Sequence, residues 1–200
     1  MKLRDKKIEP MLVIGFSGKM GHGKDEARRI ARRICYRYHT ARVAFGDILK
    51  KEVAAATQLD VEFINANKEQ FRELLQCWGT QFRRKLFGEN YWVRQMKREM
   101  DRLRNDDGGY LQQPCDIVFV TDVRFPNEAE AIKDEGGVVV RVDRGDFILN
   151  QDAASHSTET VLDDYQFDYT LDNTGNLDQL KDGVLEMLNK FLPTSVGIEN

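Results

Sequence analysis

The sequence predicts an α/β fold in three layers, α/β/α, on a parallel sheet with a helical or lid insertion. Three observations predict it. Short apolar runs alternate with stretches of helical period along most of the 200 residues. A glycine-rich segment separates the first apolar run from the first helical one. Residues 116–120 contain an unbroken apolar run, as a strand buried on both faces requires.

The elements follow in order. Residues 11–16 read as a strand, and Ala27, Ile30, Ala31, Ile34 and Cys35 then fall at helical spacing. Residues 42–45 read as a second strand, with a helix from Asp47 to about residue 56 and Asp47 as its cap. Residues 67–104 are helical in pattern, with breaks expected near Gly79 and Gly88; residues 105–109 form a surface turn. After the strand 116–120, Phe125-Pro126 favours an extended residue before a helix start, and Gly136-Gly137 stops that helix. Residues 138–142 make the next strand, a last strand lies near 167–171, and a helix spans about 177–191. Residues 144–164 are polar without a period and long for a loop, which points to a lid or a disordered segment.

Composition bounds the class. At 41% hydrophobic and 32% charged, with no apolar run near 18 residues, the chain reads as a single globular domain over 1–200, neither disordered nor membrane-spanning. Its charged start, lacking the apolar stretch of a leader, predicts a cytoplasmic location. Cys35, Cys77 and Cys115 lie far apart, so three reduced thiols are expected, packed as small buried hydrophobes. The net charge of −3 hides a split. From Asp146 onward there are 11 acidic residues against Lys181 and Lys190, a local charge of −9, which leaves +6 on the first 145 residues. Residues 67–104 hold ten of the basic side chains. Phosphate binding should therefore be local, in a cleft, and the acidic part should oppose nonspecific nucleic-acid binding.

Gly18-Lys-Met-Gly21-His22-Gly23-Lys24 fits G-x-x-x-x-G-K between a strand and a helix, the context in which that pattern binds phosphate. Glycines let successive N–H groups turn toward one anion, the helix N-terminus adds partial positive charge, and Lys24 reaches the outer phosphates. His22 contributes its backbone N–H rather than its ring. Asp25 replaces the usual Ser or Thr, so it either ligates Mg²⁺ beside the phosphates or complements the helix dipole.

Several further segments, together with this loop, resemble the deoxynucleoside monophosphate kinases of bacteriophages, within the P-loop kinase superfamily. They are Phe45-Gly-Asp-Ile-Leu-Lys50, Arg72-Glu-Leu-Leu-Gln76, Trp78-Gly-Thr80, Asn90-Tyr-Trp-Val93, Thr121 to Glu128, Gly136-Gly137 and His156-Ser-Thr-Glu159. The resemblance spans about residues 12–175, and it implies a P-loop kinase fold using ATP and Mg²⁺ with a deoxynucleoside monophosphate as acceptor. Within it, residues 60–105 are expected to bind the acceptor.

Phosphoryl transfer is mostly positioning and charge neutralisation, so several Arg and Lys must converge on the phosphates. Arg72, Arg83 and Arg84 are candidates for the acceptor phosphate, with Gln76 and Trp92 beside it; a solvated helix face is the alternative for each arginine. Asp122 should emerge at the carboxyl edge of the sheet, where open α/β sheets bind ligands, as a second Mg²⁺ contact. Arg124 would meet the transferring phosphoryl group or the acceptor. A purely structural Asp122–Arg124 pair capping the Pro126 helix is the alternative, and helix capping is enough to explain Glu128. Arg141 and Arg144 are expected to touch ATP, and His156 with Glu159 matches the family motif.

Asp47, at the end of the second strand, is a candidate base or a candidate to bind a sugar or base edge of the substrate, and it discriminates between acceptors. A nucleotide phosphate is already an anionic nucleophile, whereas an alcohol needs a base. A rival P-loop kinase acting on hydroxymethylated pyrimidines (5-hydroxymethyluridine) in phage DNA would use Asp47 as that base and the basic middle as a DNA track. A second rival is a non-catalytic nucleotide-binding module. The aromatic residues Phe63, Phe71, Phe82, Phe87, Tyr91 and Trp92 are open to base stacking, core packing or a homodimer face, with the core as default.

Overall fold

The computed structural model describes residues 10–105, 114–145, 147 and 161–192. Expectations for His156, Glu159, the turn at 106–109 and most of the lid at 144–164 lie outside them. Five strands form one sheet: β1 (Leu12–Ser17), β2 (Thr40–Val43), β3 (Ile117–Val120), β4 (Val138–Asp143) and β5 (Tyr169–Asp172). Their order is β2-β3-β1-β4-β5, and every pairing is parallel. In β1 the side chains alternate faces, and both faces are apolar and buried, so helices must cover each one.

On one face α1 (Lys24–Ile34) and the last helix, α8 (Leu177–Phe191), pack over Ile14, Phe16, Phe119, Val140 and Leu171. α1 offers Ala27, Ile30 and Ala31, and α8 offers Leu180, Val184, Met187 and Leu188, the i, i+3, i+4 stripe of an amphipathic helix. On the opposite face Val13, Val118, Val120 and Val139 meet α6 (Tyr91–Asn105) and α7 (Pro126–Asp134) through Trp92, Met96, Met100, Ala129 and Ile132. Truncating Met96 or Met100, both fully buried, to Ala would cost about 2–5 kcal/mol. The expected α/β/α layering is therefore present.

Between β2 and α6 the chain departs from the sequence expectation. β2 ends at Val43 and α2 spans Phe45–Thr57, so Asp47 lies inside the first turn; Ala44 takes the cap position and Asp47 does not cap. Two short helices, α3 (Val61–Ala66) and α4 (Lys68–Gln76), follow. The break expected at Gly79 is absent. A π-helical segment, Cys77–Arg84, carries the chain continuously into α5 (Lys85–Phe87), and Gly88, at φ 93°, is the real break. Partners outside the ladder hold the wide turn: the Trp92 indole donates to the Gly79 carbonyl at 2.9 Å, and the Thr80 hydroxyl donates to that of Gln76. Gly79 also packs on Leu49, which a Cβ would meet at 3.3 Å.

Of the three thiols only Cys35 is fully buried, which pushes it up to about 12; Cys77 is exposed and Cys115 half-buried, contrary to the expectation for all three. Among the described residues no helix is long and apolar enough to cross a membrane.

Candidate functional site

The glycine loop leaves the carboxyl end of β1 at the centre of the sheet and enters α1. Gly18, Gly21 and Gly23 have φ of 139°, 82° and 92°, values that disfavour side chains. Space is also lacking: a Cβ on Gly18 would lie 2.3 Å from the Val142 carbonyl oxygen, and one on Gly23 would lie 2.4 Å from Asn173 Nδ2. Gly23, at the N-cap of α1, has no side chain to offer the helix's first N–H groups, which suits that end to an anion. Lys24 Nζ folds back over the loop, donating to the carbonyls of Gly18 and, at 2.8 Å, of Lys19. Asp25 is exposed in the first turn.

The ring of His22, to which the sequence assigns nothing, is a strut. It is 2% exposed, its Nδ1 accepts from the Arg144 N–H at 3.0 Å, and its Nε2 lies 3.2 Å from the Phe147 carbonyl. Only the neutral tautomer protonated at Nε2 makes both bonds. The His22 carbonyl accepts from Asn173 Nδ2 at 2.9 Å, so the loop is tied to the ends of β4 and β5. Arg144 lies over the Phe147 ring, 4.1 Å from its centroid, with a guanidinium nitrogen 3.5 Å from the Gly21 carbonyl oxygen.

A pocket beside the loop is lined by Ser17, Gly18, Lys19, Val123, Arg124, Arg141, Leu162 and Asp163. Arg124 and Arg141 both line it. Asp163 bridges Lys19 at 3.6 Å and Arg141 at 3.3 Å, so the acidic part of the chain touches the basic loop here.

Asp122 does emerge at the carboxyl edge of β3, but its carboxylate caps α2. Oδ1 accepts from the Phe45 N–H at 2.8 Å and Oδ2 from the Gly46 N–H at 2.7 Å. Desolvation pushes its carboxyl above the ordinary range, against these two bonds and the Arg124 charge. The structural pairing expected at the Pro126 helix is thus corrected: Glu128 caps that helix itself, accepting from the Arg124 and Phe125 amides, and Asp122 serves a different helix. Asp47 pairs with Arg42 and, at 3.4 Å, with Lys50. Burial would raise its carboxyl, but the two cations win and hold it below the usual range. Arg28, one turn beyond Lys24, has its pKa lowered by burial and by the Arg42 charge, while Asp25 pulls it up. Arg28 and Arg42 thus add positive charge near the loop that the sequence reading missed; the Lys24 to Arg28 spacing of i, i+4 was its available signal.

The helical region divides its candidates. Arg72 is exposed and pairs with Glu69 at 2.8 Å, and Gln76 is exposed nearby. Arg83 bonds Glu52 within a ring of Trp78, Phe82, Phe87 and Tyr91. Arg84 is buried, donating from Nη2 to Glu128 Oε1 at 2.6 Å. Trp92 is 4% exposed and belongs to the core, so it supports this region from inside and cannot stack on a bound base. Basic residues of α6 are largely neutralised: Lys97 meets Asp134 and Glu135, Arg102 meets Glu99, and Arg104 meets Asp101 and Glu135. Such a face is a poor track for a polyanion.

The family described as "Deoxynucleotide monophosphate kinase" matches residues 22–184. A relative from Acanthamoeba polyphaga mimivirus, provisionally named as a deoxynucleotide monophosphate kinase, is 28% identical, over 67% of this chain and 75% of its own. Among solved structures, APE1195 shares the fold with a TM-score of 0.50 at 13% identity, covering 94% of this chain and all of that one. A shikimate kinase from Aquifex aeolicus vf5 is a looser likeness, with a TM-score of 0.45 at 16% identity over 90% of this chain and 97% of its own. With a glycine loop at the centre of a parallel sheet and four-fifths of the residues inside the family match, the chain belongs to the deoxynucleotide monophosphate kinase family and is a nucleotide kinase.

Proposed function

We propose that this protein transfers the γ-phosphoryl group of ATP to deoxynucleoside 5′-monophosphates, giving diphosphates and ADP. The observation that carries this reading is the α1 N-terminus, entered through Gly23 under three left-handed glycines, with Lys24 above it and the Arg124–Arg141 pocket alongside. An acceptor phosphate oxygen attacks the γ-phosphorus in line, and the bond to the β,γ-bridging oxygen breaks as ADP leaves. Charge neutralisation falls to the loop N–H groups, Lys24 and Arg124, with Arg144 over the loop holding ATP. Residues 60–105 bind the acceptor, where Arg84 is the buried guanidinium; Arg72, Gln76 and Arg83 lie further out.

The donor set fits Mg²⁺. Among the described residues no three His, Cys, Asp or Glu side chains form a cage, and this ion usually binds through phosphates and water with one or two carboxylates. Asp25 is exposed beside Lys24, and Asp122 keeps partial exposure and spare lone pairs beyond the two amides it accepts. These two would hold the hydrated ion, which supplies neutralisation of the β- and γ-phosphate charge.

Asp47 bears on the acceptor. A carboxyl held low by Arg42 and Lys50 is a weak base, which favours an acceptor that needs none. Asp47→Asn should therefore lower kcat by about tenfold or less, below the range typical of a lost general base. A larger loss in steady-state kinetics, with the fold intact, would favour an alcohol acceptor. The reading as a whole is tested by coupled ADP release with each of the four deoxynucleoside monophosphates and with hydroxymethylpyrimidine-containing DNA. Turnover with free monophosphates supports it, and turnover with the modified DNA alone refutes it.

A further inference from the structure

Arg84 and Glu128 stand 44 residues apart in sequence and meet as a buried pair at 2.6 Å. Their side chains are only 9% and 3% exposed. Arg84 ends the π segment; Glu128 lies in the first turn of α7, at the carboxyl edge of the sheet. The Phe125 ring lies 3.7 Å from the guanidinium carbon, so ring and carboxylate together fix both the plane and the rotation of the guanidinium. The other edge is unused. Arg84 Nη1 is buried and makes no hydrogen bond among the described residues. A buried, charged donor without an acceptor is costly, and a pair serving packing alone would satisfy both edges. The anion facing Nη1 is the Glu89 carboxylate, 3.8 Å away, beyond hydrogen-bond distance and 82% exposed, so it is easily displaced. Meanwhile the second oxygen of Glu128 accepts from the amides of Arg124, at 2.9 Å, and Phe125. One carboxylate thus ties Arg84 to the segment that delivers Arg124 to the loop pocket.

We propose that Glu128 is a positioning residue: it holds Arg84 so that the Nη1 edge is kept free for an oxygen of the acceptor's phosphate, in register with Arg124. The inference rests on the deoxynucleotide kinase function proposed above. It gives Glu128 a task beyond capping α7, and it explains an orphan donor on a guanidinium otherwise anchored through Nη2. Burial pushes the Glu128 carboxyl up to about 7, so the paired, ionised form predominates under mildly alkaline conditions.

Steady-state kinetics at pH 8 test it, with KM measured separately for the best deoxynucleoside monophosphate and for ATP. Glu128→Gln keeps one acceptor oxygen for either the amides or Arg84 but not both, and should raise the acceptor KM roughly tenfold to a hundredfold. The KM for ATP should stay within about twofold, a split that general loosening of the fold would not give. Should that variant fail to fold, Arg84→Met with Glu128→Gln removes the pair together and spares the core an unpaired charge. This double variant should show the same acceptor KM as Arg84→Met alone, because Glu128 acts through Arg84. An unmoved acceptor KM in folded Glu128→Gln, an equal rise in both KM values, or additive effects in the double variant overturns the proposal. A wild type that phosphorylates none of the four monophosphates overturns the underlying function as well; an active wild type with unmoved variants overturns the positioning role alone.

Discussion

Replacing Lys24 with Ala is expected to lower kcat by on the order of a thousandfold, a loss at the upper end of that for a single transition-state charge contact. Lys24 is the first residue of α1, and its ammonium already spans the loop through the Gly18 and Lys19 carbonyls. Those contacts hold the charge over the α1 N-terminus, where the proposed transfer would build negative charge on the phosphoryl group. Neither carbonyl depends on Lys24 for solvation at a partly exposed loop, so stability should change by no more than about 1 kcal/mol. Lys24→Met, which keeps the aliphatic stem, should behave as Lys24→Ala does. Coupled ADP release gives the rate and urea unfolding the stability. A variant retaining near-full activity would remove the loop from the mechanism.

Asp122→Ala should be the most damaging single change at the sheet edge for stability and rate together. It strands the Phe45 and Gly46 amides at the start of α2, which no side chain of its own caps. Losing the two charge-assisted bonds should cost about 2–4 kcal/mol, against about 1 kcal/mol for Asp122→Asn, which keeps one acceptor. Because α2 carries Asp47, Leu49 and Glu52 toward the loop and the helical region, the rate should fall in both variants. Denaturation with urea orders the stabilities; if Asp122→Ala proved as stable as the wild type, the capping role would be wrong.

Much of this was legible in the sequence, and the exceptions share a cause. The loop, the strands and α8 are written in local pattern: apolar runs with glycine punctuation, and a stripe at 3.6-residue spacing. Gly79 misled because propensity marks glycine as a helix breaker, while the Trp92 indole and Leu49, remote in sequence, hold it inside a π turn. Asp122 could be placed at the sheet edge from its strand, but not joined to amides 76 and 77 residues away. Likewise Asp47 carries the look of a cap, Ser, Thr, Asp or Asn before a helix, yet the true cap arrives from another strand. The ring of His22 and the pair Arg84–Glu128 depend on contacts between distant segments, which no window of sequence contains.

The charge split also acquires a structural meaning. Lys97, Arg102 and Arg104 of α6 are spent on neighbouring acids, and Asp163 from the acidic part bridges Lys19 and Arg141. The positive groups left beside the glycine loop are few and local, which suits a small phosphorylated ligand better than a polymer.

³¹P NMR of ATP and Mg²⁺ incubated with a deoxynucleoside monophosphate and the enzyme separates phosphoryl transfer from hydrolysis in one spectrum. The acceptor's single resonance should give way to the two coupled resonances of a deoxynucleoside diphosphate as ADP accumulates, and Lys24→Ala should leave the spectrum unchanged over the same time. Release of inorganic phosphate with the monophosphate intact, or phosphate appearing only on hydroxymethylated DNA, would contradict the proposed transfer.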